Sequence, residues 1–176
     1  MNKSKLFTVE TTMNKKDYHK FLYIATFLRS KIIIPFMIAI SGIMSFLLTY
    51  NESPFNITKF ISFWIFLLAI AIFVVIFKVE RRNKQRIKTD KTGFFGSKET
   101  LDFYEDYIKI KSTAIEGETK IKYSQFYQVL ESKGYFITYF NVNQAYLIRK
   151  EDLDVDTIEK LRLLYQKVMG KNYKMI

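Results

Sequence analysis

The chain has 176 residues, of which 49% are hydrophobic and 17% aromatic, and its net charge is +11. That composition excludes a disordered tail, and the length allows one medium domain or a small domain beside a membrane element. The absence of cysteine excludes disulfides, thiolate catalysis and cysteine-ligated zinc.

The position of the charge separates two kinds of anionic partner. Residues 1–31 carry +5, residues 32–77 carry zero, residues 78–91 carry +5 and residues 92–176 carry +1. The excess flanks the apolar segments instead of coating a folded domain. Phospholipid is therefore the expected anionic partner, and nucleic acid is not expected.

In chain order, residues 5–12, "KLFTVETT", alternate Phe7 and Val9 with Thr8 and Glu10, which predicts a half-buried strand. Asn14 followed by Asp17 resembles a capping box. The helix it opens places Tyr18, Phe21, Leu22, Ala25 and Leu28 on its apolar side, either against a bilayer surface or against a folded domain. His19, the sole histidine, lies on the polar side and is expected to be solvated.

Residues 32–50 and 60–77 are uncharged runs of about 27–29 Å as helices, close to the roughly 30 Å of a bilayer core. They predict a two-span transmembrane hairpin joined by the short segment 51–59, which contains Pro54. Basic residues outside both runs place the two termini in the cytoplasm of a multi-pass cell-membrane protein. The sequon Asn56-Ile57-Thr58 would lie almost at the membrane surface and is read as chance. Ser41, Gly42 and Ser45 form a small-residue face suited to helix packing, within the hairpin or against a second copy. Residues 78–91 read as a basic linker, and Arg81, Arg82, Lys84 and Arg86 are candidates for anionic lipid headgroups.

Residues 92–176 predict an α+β domain. Short strands follow at 101–105, 107–112, 119–123, 127–131, 135–140 and 145–150. Alternation turns Ile108, Ile110 and Ile121 inward and Lys109, Lys111, Lys120 and Lys122 outward, giving a second candidate lipid surface. Asp154 is the expected N-cap of a closing helix, Leu153 and Ile158 its staple and Gly170 its stop. The aromatic stretch "YSQFYQVLESKGYFITYF" at 123–140 is expected to form core beneath that helix.

This order resembles a pleckstrin-homology-like antiparallel sheet or barrel closed by a C-terminal helix. The segments "LFTVETTMNKKDY", "DFYEDYIKIKS" and "KIKYSQFYQVLESKGYFITYFNVNQAYLIRKEDL" resemble the YcxB-like membrane proteins of bacteria, most specifically at Tyr123-Ser124, Tyr135-Phe136 and Gln144-Ala145-Tyr146-Leu147-Ile148. That family tends to have Ile-Pro-Lys where this chain has Ile148-Arg149-Lys150. The resemblance implies a membrane hairpin with a cytoplasmic domain and carries over no catalytic residue.

Motifs for chemistry are missing. The run from Asp152 starts like a calcium loop but has Thr157 and Leu163 where Gly and Glu belong. "GFFGSK" lacks phosphate-loop spacing. The expectation is a non-enzymatic protein without cofactor or metal, binding membrane lipid, a protein partner or a second copy of itself. The alternative is an immunity or transport-accessory protein acting through its hairpin.

Overall fold

The computed structural model describes residues 4–51 and 54–176. Glu52 and Ser53, in the expected connection between the apolar runs, lie outside the described residues. The chain divides into two compact units, Met1–Asp17 with Asp90–Ile176, and Tyr18–Thr89.

The first unit contains two four-stranded sheets. In one, β1 (Phe7–Thr12), β2 (Lys98–Phe103), β3 (Tyr107–Ser112) and β4 (Glu118–Lys122) pair antiparallel in that order. The period of two turns Phe7, Phe103, Ile108 and Ile121 to one face, directly opposite one another. In the other, the spatial order is β7 (Ala145–Arg149), β6 (Tyr135–Tyr139), β5 (Gln128–Glu131) and β8 (Tyr173–Met175). The expected order of strands has no place for β8, which runs parallel to β5. One core of Val9, Leu101, Phe103, Ile108, Phe126, Val129, Phe136 and Ile148 lies between the sheets. The helix α4 (Val155–Met169) adds Leu161, Tyr165 and Met169 to it. Asp154 caps α4 by accepting the Thr157 N–H at 2.6 Å, and Gly170 ends it at φ +49°.

The expected barrel does not close, and the reason lies at two edges. Between β1 and β7 a side chain takes the place of a ladder: the Arg149 N–H donates to Thr11 Oγ1 at 3.1 Å, and that hydroxyl donates to Asp152 at 2.9 Å. Beyond β4 a 3₁₀ turn, Tyr123–Gln125, interrupts the strand, and the Gln125 side chain takes the Lys122 N–H at 2.9 Å. The sheets remain separate.

Arg149, the last residue of β7, ties the start of the chain to its C-terminal part. Its guanidinium meets Asp17 at 3.1 Å and Asp152 at 2.5 Å. Asp17 also accepts the Tyr135 hydroxyl at 2.8 Å while completing the expected reciprocal cap with Asn14. Proline at 149 would supply neither the N–H nor the charge.

Glu131, at the end of β5 and 2% exposed, meets side chains from the turn after β7, from α4 and from β8. It accepts Lys150 Nζ at 2.6 Å, Arg162 at 2.7 Å and the Tyr173 hydroxyl. Burial alone would raise its pKa; the hydrogen bonds from Arg162, Lys150 and Tyr173 outweigh it and hold the carboxyl at about 2.

In the second unit, α1 (Lys15–Tyr23), which begins at the end of the first, passes into a π-helical turn, Ile24–Leu28. Two further helices follow, α2 (Ile33–Thr49) and α3 (Ile57–Thr89). The contacts Ser45 to Phe60 and Ile38 to Trp64 run in opposite chain directions, so α2 and α3 form an antiparallel hairpin. Among the described residues α3 is long and apolar enough to cross a membrane. A second candidate arises if Lys15–Leu28 and Ile33–Thr49, bent by 60°, count as one. Helix α3 continues through the basic residues after 77 as regular helix.

Glu131→Gln should destabilise the fold. The loss should fall at or below the roughly 3–5 kcal/mol of a broken buried pair, because Arg162 is 29% exposed and regains water. A carboxyl held at about 2 against an ordinary 4.5 contributes stability above pH ~5 that is lost as pH falls towards 2. Denaturant unfolding across that window should show a flatter acid limb for the variant than for the parent.

Candidate functional site

The β3–β4 register sets Lys109 opposite Lys120, Lys111 opposite Glu118 and Tyr107 opposite Lys122. Directly opposed residues share a face, so all four lysines lie on the outer side of the sheet, away from Ile108 and Ile121. Their charge is not bare. Glu118 sits 2.9 Å from Lys109 and 3.4 Å from Lys111. Asp102, opposite Lys109 on β2, meets Lys5 at 3.2 Å, and Glu10 meets Lys98 at 2.7 Å. The Lys120 ammonium lies 3.8 Å from the Tyr107 ring centroid, and Tyr107 stacks on Tyr104 at 4.5 Å. The hydrogen bond from Lys109, then that from Lys111, holds the Glu118 carboxyl below its ordinary value, and Glu118 in turn raises Lys109. Exposed pairs of this kind contribute little stability but lower the potential of the face.

The four candidates on α3 divide differently. An open groove of about 510 Å³ is lined by Phe77, Glu80, Arg81, Lys84, Gln85 and Lys88. Arg81 and Lys84 belong to it; Arg82 and Arg86 project from the helix about 100–140° further round. Glu80 is the acid of this groove and is turned to α1. His19 Nε2 lies 2.6 Å from its Oε1, and the Tyr23 hydroxyl donates to the same oxygen at 2.8 Å. These bonds, His19 first, depress the Glu80 pKa. The expectation of a solvated His19 is thereby corrected. The signal was present: His19 and Tyr23 are four residues apart on one face of α1, and Glu80 is the sole acid among the basic residues 78–88.

The small-residue face of α2 turns to α3. Ser45, fully buried, donates to the Phe60 carbonyl at 2.6 Å. The Trp64 indole N–H donates to Ser41 Oγ and to the Ile38 carbonyl, both at 3.1 Å. A Cβ on Gly42 would meet that ring at 3.3 Å, so glycine admits the indole. Among the described residues no three His, Asp or Glu side chains gather as a metal site. These arrangements set cations beside carboxylates on β3, β4 and α3 and pack α2 against α3.

Two outcomes follow from this geometry. Glu118→Gln should raise the acylation rate of Lys109 several-fold in amine footprinting read by mass spectrometry, with Lys98 unchanged, since the reactive free amine becomes more populated once the carboxylate is gone. Gly42→Leu should displace the Trp64 ring. Trp64 is the sole tryptophan, so its emission maximum and access to a soluble or lipid-borne quencher should change, whereas Ser41→Ala should leave them nearly as they are.

No curated protein and no solved structure matches the chain. Residues 103–164, about a third of the chain and running from the end of β2 through most of α4, match the family model described as YcxB-like protein.

Proposed function

We propose that this is a multi-pass membrane protein without enzymatic activity. Its hairpin crosses the cell membrane twice, and its sheet-bearing unit, a pleckstrin-homology-like fold, serves protein or anionic-lipid interaction on the cytoplasmic side. The observation that carries the reading is the apolar shell of α2 and the first part of α3. Ile34, Phe36, Ile43 and Leu47 on one helix, and Ile61, Ile65, Phe66, Phe73 and Phe77 on the other, are 42% exposed or more. A water-soluble protein rarely exposes so large a contiguous apolar surface. It ends abruptly at Lys78, where the basic residues begin.

A constraint of topology adds support. β1 pairs with β2 from Phe7↔Phe103 to Thr12↔Lys98. Hydrogen-bonded strands lie on the same side of a bilayer, so the chain between them must cross an even number of times. If α3 spans, α2 spans with it. The excess of lysine and arginine on both outer flanks favours the cytoplasm for both ends. With Ser41, Gly42 and Trp64 satisfied inside the hairpin, the sheet-bearing unit is the better candidate for recognition of a partner than the helices.

The cysteine-free sequence allows a direct test. Asn51→Cys and Lys171→Cys, each alone in the full chain, are exposed to a membrane-impermeant maleimide on intact cells. Labelling at 51 from outside, and at 171 only after lysis, is expected. Labelling of 171 on intact cells would reverse the orientation, and release of the protein by alkaline carbonate without detergent would end the membrane reading.

A further inference from the structure

The apolar part of α3, residues 57–77, is about 31 Å long, which matches a bilayer core of roughly 30 Å. With Phe77 at the hydrocarbon edge, Arg81 lies about 6 Å and Lys84 about 10 Å beyond it along the helix. The headgroup layer is roughly 5–8 Å deep on each side. Arg81 therefore stands within it, and the long Lys84 side chain can reach back into it. Lys88, about 16 Å out, stands beyond it. On another side of the helix Arg82 lies about 8 Å and Arg86 about 14 Å beyond Phe77, each a little further out than its counterpart.

The groove containing Arg81 and Lys84 has two properties that suit it to a lipid. Phe77 lines it and stacks on Phe73 at 6.4 Å, so two exposed aromatic rings lead from the groove toward the apolar part of the helix. Glu80, the one acid in its lining, has its Oε1 engaged by both His19 and Tyr23. That engagement commits the carboxylate to α1 partners, so the groove lining carries one partnered acid beside Arg81, Lys84 and Lys88.

We propose that this groove is a binding site for a single anionic phospholipid, with the headgroup phosphate on Arg81 and Lys84 and an acyl chain along Phe77 and Phe73. The proposal rests on the membrane reading above. It narrows four basic candidates to two and assigns the remaining basic residues on this helix no contact with the bound lipid. The guanidinium can donate two parallel hydrogen bonds to the phosphate, and the ammonium adds a second positive charge. Net negative lipids are preferred because two cations face one phosphodiester.

The test uses the full chain in mild detergent and native mass spectrometry, titrating phosphatidylglycerol against phosphatidylcholine. One phosphatidylglycerol should be retained at concentrations that leave phosphatidylcholine unbound. Arg81→Gln with Lys84→Gln should weaken its retention about 25-fold, on a factor of roughly five for each basic residue near a charged surface. Arg82→Gln with Arg86→Gln removes the same charge and should change it less than twofold. Phe77→Ala should weaken retention while leaving all charges in place. Equal losses from the two double variants would overturn the site in favour of a general field. Displacement of the lipid by inorganic phosphate at millimolar concentration would overturn it in favour of a free anion. An embedded protein with no lipid preference would end this proposal alone; a chain that stays in solution without detergent would end the membrane reading instead. Trp64 emission identical to the parent shows that each variant keeps its hairpin.

Discussion

The pairing of β1 with β2 is the constraint on which the rest of the structure depends. It joins residues 7–12 to residues 98–103 and makes a single sheet from the two ends of a long excursion. Everything between must leave that sheet and return to it. The packing tightens the same junction: Phe7 stacks on Phe103 at 4.8 Å, and Val9 and Leu101 are buried opposite each other. Removing β1 would leave β2 an open edge and uncover one flank of the core, so the first strand is integral to the C-terminal fold although 85 residues separate Thr12 from Lys98.

Charge is handled in two ways in this protein. Inside the sheet-bearing unit, Glu131 and Arg149 are each saturated by partners from different elements and act as joints. Their low exposure makes each costly to strip of its partners. On the outer face of β3 and β4 and along α3 the cations are exposed, and what differs is the acid beside them. Glu118 lies among its lysines and neutralises two. Glu80 instead takes its hydrogen bonds from the side, from His19 and Tyr23 on α1. Equal counts of lysine and arginine thus give unequal surfaces.

Much of the local structure was legible in the sequence. Alternation around Ile108 and Ile110, the cap at Asp154, the reciprocal pair Asn14 and Asp17, and the stop at Gly170 are written in neighbouring residues, and periodicity reads such signals well. What escaped depends on residues far apart. Nothing near Thr11 announces that its hydroxyl will take the Arg149 N–H and so replace a strand ladder. The three residues of β8 carry no alternation, and Met175 stays exposed. The lysine face was visible as a pattern, but its partial neutralisation by Glu118 needs the β3–β4 register. His19 looked solvated because its partner is 61 residues away.

The same long-range pairing has a bearing on synthesis at the ribosome. β1 is made first but must wait for β2, and 95 residues separate Phe7 from Phe103. At roughly 5–20 residues per second that delay is on the order of 5–20 s. Throughout it, "FTVETT" is a nascent strand with no neighbour, and the most apolar segments of the chain emerge meanwhile. All of α1, α2 and α3 are therefore synthesised before the first sheet can be completed. The sheet-bearing unit can therefore become protease-resistant only after the last residues of β2 have been made, however early β1 emerges.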